Sequence, residues 1–572
     1  MFKYNLKKQG IDIIDTILSN RDLTFEEANK IINPENYGHK ILNPYTFKNM
    51  LSAVEVLEGS IKRNFKIGIL IDSDADGYCS SAMLYHYLTE VLNYKNVLYM
   101  FHDKPKAHGF QDYVTEWVKG SNIQLLIVPD AGCGLSDEEN QKGVYDIVEN
   151  IIILDHHIPE YKPKEKVIMV NPHQNDCEYN NKYLSGAGVT HKFIEACNIY
   201  FGIDVNYNDL VALSIVSDMM NLKASLENRL YLNLGSNNIS SPLIQEVIDT
   251  KGISNITIED LAFSIAPLIN ATVRVGESSE KDLVFRSLFE DKLVPSTKRG
   301  SVGEMVSCSS EACRIAGNIK RRQDKLRDKA TDKVCKAIEE LELDKNKVII
   351  VKVDGLADES MTGLIANKLV GIYNKPMILL RSVDGGFRGS ARTVNENPIL
   401  KNFKNICIES GLFEFASGHQ GSFGVGVSDE NISKLNDYFN TKLKDIEATT
   451  LYEVDALYDG SVPFADIKEV ANLSRLWCFD IKEPTFLVKN ISINTKDINK
   501  IGNATYTFKS DKTIFTKHFG SKVWYETLLL RDKLPFGGSI LVDMICKFKN
   551  RNGAYYIDIQ QAKSVVNDVY DF

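Results

Sequence analysis

Lys66-Ile67-Gly68-Ile69-Leu70-Ile71-Asp72-Ser73-Asp74-Ala75-Asp76-Gly77-Tyr78-Cys79-Ser80-Ser81 opens as an apolar run of strand length and closes in a polar turn. From Ala82 to Leu88 apolar residues resume at helical spacing, so the stretch reads as strand, loop, helix. Such a junction lies at the carboxyl end of a strand, where open α/β sheets hold their ligands, and here it carries Asp72, Asp74 and Asp76. Alternate residues of an extended segment share a face, so the three carboxylates can converge. Clustered negative charges repel unless a hard cation neutralises them, and the stretch therefore predicts metal ligands.

A solvated Asp-Gly turn with a helix N-cap would account for an isolated Asp-Ala-Asp-Gly. The rest of the chain decides against that simpler reading. Ile123–Val128 is a second apolar run and leads through Pro129 to Asp130; Ile151–Leu154 is a third and leads to Asp155-His156-His157. Asp218 closes the helical segment Leu210–Ser217. A parallel sheet would gather these acidic and imidazole groups along one edge, which places the chain in the α/β class.

These motifs resemble those of the DHH phosphoesterases, named for the triplet that reads Asp155-His156-His157 here. The longer likeness is to the RecJ-type single-strand-specific exonucleases, with the motifs in family order from Ile14 to Ser564. The resemblance implies a DHH-type parallel-sheet domain and a smaller α/β DHH-associated domain joined by a long helix, followed by a C-terminal OB-type β-barrel. It also implies two divalent cations, Mn²⁺ or Mg²⁺. Asp74 and Asp76 take one each, Asp130 bridges them, and His156 with Asp218 completes the second site. Asp72 is a further ligand or an orienting carboxylate, and Asp155 and His157 support the site or contact phosphate. Leu268-Ile269-Asn270-Ala271-Thr272-Val273-Arg274 resembles the family's Asn-Ala-x-x-Arg element, which puts Arg274 near the scissile phosphate.

Composition limits the alternatives. At 572 residues one core is too few, and three or four domains are expected. The 44% hydrophobic and 25% charged fractions are ordinary for a soluble protein. No apolar run is long enough to span a bilayer, and Met1–Lys8 lacks the apolar core of a signal peptide, so a cytoplasmic protein without membrane contact is expected. Ten cysteines without a Cys-x-x-Cys pair argue against a disulfide framework or zinc site, and Cys79 and Cys133 read as packing residues. The net charge of −9 is uneven: residues 481–560 carry +6, leaving −15 elsewhere. A locally basic domain suits phosphate contact, because attraction acts over about a Debye length.

In chain order, residues 1–60 read as an N-terminal helical cap, with a capping-box pattern from Thr24 to Glu27, and 61–303 as the catalytic α/β domain. The glycines of Leu184-Ser185-Gly186-Ala187-Gly188 let a helix start against another backbone, a packing role preferred here to phosphate binding. Residues 304–345 read as a charged connecting helix and 346–449 as the second α/β domain. There Gly385–Thr393 and Ser417–Gly424 resemble the signature elements of the DHH-associated domain, with Ser390, Arg392 and His419 as phosphate donors. Residues 450–572 are rich in short β-type runs and suggest a barrel of about five strands. Lysines interleave there with Tyr506, Phe508, Phe515, Phe519, Tyr555 and Tyr556, as a stacking platform for unpaired bases requires, although a barrel core would claim about half of these rings.

The resemblance thus implies a metal-dependent 5′-to-3′ exonuclease that releases mononucleotides from single-stranded DNA in repair or recombination. A monomer is expected, recruited by a single-strand-binding protein or a helicase. The chain departs from the family where an Arg usually precedes Gly-Tyr-Gly: the segment reads His102-Asp103-Lys104-Pro105-Lys106-Ala107-His108-Gly109. Lys104 or Lys106 would have to seat the 5′-phosphate, without the planar fork of a guanidinium. Two other readings are a DHH phosphodiesterase of short RNA or cyclic dinucleotides, which residues 450–572 count against, and a non-catalytic DNA-binding scaffold, which the full ligand set counts against.

Overall fold

The computed structural model describes residues 2–102, 107–394, 397, 399–446, 451–494, 497–501, 505–510, 513–518, 539–551 and 553–565, and of His419 the backbone alone. The chain forms two compact units, one of residues 25–322 with 475–482, the other of 1–24, 323–474 and 483–572.

The first unit is built on a five-stranded sheet. Its order is Val97–Phe101, Ile67–Ile71, Leu125–Pro129, Asn150–Leu154, Val167–Val170, and every pairing is parallel. Near-continuous Ile, Leu and Val make these strands apolar on both faces, which only a sheet covered on both sides can bury. Ile67, Ile69, Ile71, Ile127 and Leu154 pack into one core with the helices Met50–Lys62, Ala75–His86 and Gly186–Phe201. Leu70, Leu126, Val128, Ile153 and Met169 pack into a second core with Phe110, Val114, Val118 and Val144. Because the strands run in register, the residues just past their carboxyl ends are neighbours: His102, Asp72, Asp130, Asp155 and Asn171.

In the second unit Phe415–His419, Ser422–Ser428, Gly386–Arg392, Met377–Val383 and Ile349–Lys352 form a mixed five-stranded sheet in that order. Another sheet has seven strands, ordered Ala456–Asp459, Phe486–Asn494, Ser539–Arg551, Ala554–Ser564, Thr513–Lys517, Thr505–Ser510, Asn499–Ile501. A helix runs over Cys308–Glu340, and the division between the units falls within it, after Arg322.

Three expectations change. The expected five-strand OB-type barrel is, among the described residues, a seven-stranded sheet whose edge strands do not pair with each other. Tyr506, Phe508 and Phe515 are buried, Phe508 and Phe515 stacking with centroids 5.0 Å apart, because alternate residues of a strand must fill the core. Of the proposed stacking rings Tyr555 and Tyr556 remain half-buried, and Phe519 lies outside the described residues. Residues 1–60 are not a purely helical cap: Tyr4–Leu6 is a strand paired in parallel with Tyr452–Val454, and Arg21 donates to both oxygens of the buried Asp455. Residues 450–572 are not one separate domain either, since 475–482 belong to the first unit. There Arg229 is buried and donates to the carbonyl oxygens of Arg475 and Leu476.

Candidate active site

The site lies past the carboxyl ends of the parallel strands. His156 Nε2 is 3.4 Å from Asp130 Oδ1, 3.5 Å from Asp218 Oδ2 and 4.0 Å from Asp76 Oδ2. Candidate ligand atoms of Asp76, His156 and Asp218 lie within 4.8 Å of one another. So do those of Asp130, Asp155, His156 and His157, and those of Asp72, Asp74 and His108. The two clusters that share His156 bring Asp76, Asp130, Asp155, His156, His157 and Asp218 together, and Asp72 and Asp74 form a third with His108 at the end of the neighbouring strand.

Local structure fixes each group differently. Asp76 is 1% exposed and anchors the start of the helix Gly186–Phe201, accepting from Gly186 N at 2.8 Å, Ala187 N at 2.7 Å and Ser214 Oγ at 2.5 Å. The helix start is thus occupied by a protein carboxylate, and its glycines serve close approach, as the packing reading holds. Asp74 caps its own helix through Gly77 N at 2.9 Å. Asp155 accepts from His156 N, His157 N and His157 Nδ1 at 2.7, 3.1 and 2.8 Å. Asp130 sits at φ 63°, a left-handed conformation uncommon for a residue with a Cβ. That backbone turn leaves its Oδ1 buried without a hydrogen-bond partner among the described residues.

The electrostatics follow from this crowding. Burial, then the charges of Asp76, Asp74, Asp72 and Asp218, raises the Asp130 carboxyl well above the usual range. Burial and the Asp76 and Asp74 charges push Asp218 up to about 8. Burial alone would raise Asp155 too, but its hydrogen bond to His157 and the two imidazoles outweigh it and hold that carboxyl low. The same bond to Asp155 lifts His157 to about 10, which makes it an imidazolium. Burial lowers the pKa of His156, which favours the neutral form able to accept a cation.

A divalent cation fits this arrangement. Asp130 presents an unpartnered buried oxygen, and a Cβ at Gly186 would stand only 2.2 Å from it, so the space in front of that oxygen is kept by a glycine. Mixed carboxylate and imidazole donors suit Mn²⁺ or Mg²⁺ better than a soft-ligand metal. Cys79 and Cys133 are buried, burial pushes both thiols well above their ordinary pKa, and neither joins a cluster of candidate ligand atoms among the described residues.

Arg274 approaches from the helix Ala266–Val275, whose Asn270 accepts from Ala75 N at 3.2 Å in the Asp72–Asp76 loop. Its guanidinium makes no hydrogen bond or ion pair with another described residue; burial lowers its pKa, and the Asp74 charge opposes that. Ser390 and Arg392 lie in the other unit, where Ser390 Oγ is 3.0 Å from Thr362 Oγ1 and Arg392 packs so close to Gly363 that a Cβ there would meet Nη2 at 2.5 Å. Lys104, Lys106 and the His419 side chain lie outside the described residues.

Sequence reading missed His108. Its Nδ1 is 2.5 Å from Asp72 Oδ2, while Gly109 N donates to Asp72 Oδ1 at 3.0 Å. Burial would lower its pKa, but the Asp72 bond and the Asp72 and Asp74 charges lift it to about 9. Asp137 completes the hold on this turn by accepting from Phe110 N at 2.8 Å. The available signal was the spacing from strand Val97–Phe101 to a His-Gly pair, which resembles nothing specific without the fold. With Gly109 N and His108 as its partners, Asp72 fits the orienting role better than the ligand role.

Residues 66–215 match the DHH family, N-terminal domain. A protein of Bacillus subtilis strain 168, named as an SPbeta prophage-derived single-strand DNA-specific exonuclease, YorK, is 31% identical over 547 residues, covering 89% of this chain and 90% of its own. The single-stranded-DNA-specific exonuclease RecJ of the same organism is 25% identical over 477 residues, 80% of this chain and 56% of its own. The crystal structure of RecJ in complex with Mn²⁺ from Thermus thermophilus shares the fold, with a TM-score of 0.64 at 18% identity over 99% of this chain and 80% of that one.

Proposed function

Because the chain belongs to the DHH-family single-strand-DNA-specific exonucleases typified by YorK and RecJ, we propose that it hydrolyses single-stranded DNA from the 5′ end to mononucleotides. The observation that carries this reading is the convergence of His156 with Asp130, Asp218 and Asp76 around a buried carboxylate oxygen that has no partner among the described residues.

Two divalent cations, held by Asp74, Asp76, Asp130, His156 and Asp218, would supply charge to the non-bridging phosphate oxygens and lower the pKa of the attacking water. The chain's own groups do the rest. Asp76 spends its hydrogen bonds on the start of the helix Gly186–Phe201 and so fixes the loop geometry before substrate arrives. Asp155 orients His157 through Nδ1, leaving Nε2 of an imidazolium to donate to a phosphate oxygen. Arg274 meets the same anion with a guanidinium that no described carboxylate pairs, so charge developing on phosphorus-bound oxygen finds a ready donor. The basic stretch 481–560 supports capture of the strand through its phosphates.

Digestion of single-stranded DNA labelled at either end, with 5′-phosphate, 5′-hydroxyl or blocked termini, in Mn²⁺ or Mg²⁺, tests the proposal. Mononucleotides released from the 5′ end are expected. Release from the 3′ end would reverse the direction, and cleavage confined to dinucleotides would favour a short-oligonucleotide phosphodiesterase.

A further inference from the structure

The helix that carries Arg274 continues backwards without interruption. Ile258–Asp260 is α-helical, Leu261–Ile265 is a π turn, and Ala266–Val275 is α-helical again. Leu261, Ile265, Ala266, Ile269, Thr272 and Val273 are buried, so that side faces the core. Phe263, Pro267, Asn270 and Arg274 follow one another at one-turn spacing on the other side. Asn270 and Arg274 are the two residues of this stripe tied to the metal loop, through Ala75 N and the Asp74 charge. Phe263 lies on the same stripe about 10 Å along the axis from Asn270 and about 16 Å from Arg274, and it is 74% exposed.

A single exposed Phe is unremarkable on a protein surface. This one differs in placement. The π turn packs against the helix Asn208–Ser217, whose C-cap is Asp218. Two further exposed apolar side chains adjoin the site, Met219 directly after Asp218 and Ile158 directly after His157. Met219 and Ile158 thus border a site of charged groups with apolar ones, Phe263 extends the stripe that leads away from it, and a phosphate backbone gives these apolar groups nothing to bind. The π-faces of unpaired bases do, whatever their sequence.

We propose that Phe263 is a nucleobase-stacking residue of the substrate path, its ring packing on the base of a nucleotide a few positions along the strand from the scissile one while Arg274 holds phosphate. This rests on the single-stranded-DNA reading above and names how that site grips the bases.

The test uses the full chain with Mn²⁺ and oligothymidylate. Phe263→Ala should raise KM by about tenfold, within the range that one base–aromatic stack contributes. Turnover of thymidine 5′-p-nitrophenyl phosphate, which has no adjoining base, should be unchanged, and Phe263→Trp should restore KM. An abasic residue walked along the strand should cost the wild type the same factor at one position, and cost Phe263→Ala nothing further there. An unchanged KM in Phe263→Ala, or abasic and Phe263→Ala effects that multiply at every position, would overturn the inference. A wild type that binds single strands but cuts none would refute the exonuclease reading instead. In that event quenching of 2-aminopurine on strand binding, present in wild type and lost in Phe263→Ala, still decides for stacking, and equal quenching decides against it.

Discussion

Replacing Asp130 by Asn should stabilise the metal-free protein while destroying its activity. Asp130 is 3% exposed, its Oδ1 has no hydrogen-bond partner among the described residues, and burial, then four neighbouring carboxylates, raises its pKa. Asn keeps the shape and tolerates the left-handed backbone at φ 63° as well as Asp does. It also turns an acceptor facing acceptors into a donor facing them. Relieving one unsatisfied buried acceptor is worth about 1–3 kcal/mol, and in a folded unit of this size each kcal/mol moves the melting temperature by about 2–4 °C. A cation at a hundred times its Kd would add about 2.7 kcal/mol to the wild type, and the variant, lacking that carboxylate, should gain little of it. The order of stabilities therefore inverts: the variant melts higher in EDTA, the wild type higher in Mn²⁺. Paired melting curves, a Mn²⁺ titration calorimetry run and a nuclease assay measure all three quantities, with hydrolysis falling roughly 10³-fold or more. A variant less stable than wild type in EDTA, yet equally stabilised by Mn²⁺, would refute the reasoning.

Asp76→Asn should do the opposite in EDTA, because that carboxylate holds Gly186 N, Ala187 N and Ser214 Oγ; a loss of about 2–4 kcal/mol is expected in urea melts. Gly186→Ala puts a Cβ 2.2 Å from Asp130 Oδ1 and 2.5 Å from Asp130 Cβ, so calorimetry should show Mn²⁺ affinity down by about tenfold or more, with a stability loss of about 1–3 kcal/mol from the overpacking. Asp218, raised by burial and by Asp76 and Asp74 to about 8, binds its proton more tightly folded than unfolded. Its contribution is therefore complete below the ordinary carboxyl pKa and is lost as pH rises through about 8. Because its side chain is 37% exposed, screening cuts this to about 1 kcal/mol. Melting temperature in EDTA should fall between pH 5 and 9, and Mn²⁺ should flatten the profile; a flat profile in EDTA would contradict the assignment.

Much of the site was legible because its signal is local. A strand-length apolar run followed by a carboxylate states both the strand and what stands at its end, and register does the rest: Ile71, Pro129 and Leu154 end adjacent strands, so Asp72, Asp130 and Asp155 are neighbours. The C-terminal sheet was legible in its strands but not in its closure, since the pairing of Thr513–Lys517 with Ala554–Ser564 joins segments whose sequences say nothing about each other. Arg475–Lys482 could not be assigned to the first unit from sequence, because Arg229 recognises its backbone carbonyls, which every residue has. A truncation at residue 450 would strand that buried guanidinium and confound any test of DNA capture with a loss of stability.

Hydrogen-bond accounting separates residues that sequence alone treats as equivalent. Asp72, Asp74, Asp76, Asp130, Asp155 and Asp218 are six carboxylates at one sheet edge, and composition offers no way to rank them. The structure ranks them by what each already accepts. Asp155 takes three donors from the two residues that follow it, Asp76 takes the start of a helix, and Asp72 takes His108 and Gly109. Asp130 Oδ1 and Asp155 Oδ2 are both buried without a partner among the described residues, but no described donor bonds Asp130 at its other oxygen as three do Asp155, and of the six only Asp130 is held in a left-handed backbone. Strain and an unpaired buried acceptor each cost free energy, and a fold retains both at one residue only where something absent from the polypeptide offsets them. A cation held at Asp130 would offset both, so that residue, and not the more heavily bonded Asp76, is the one whose replacement should separate stability from catalysis.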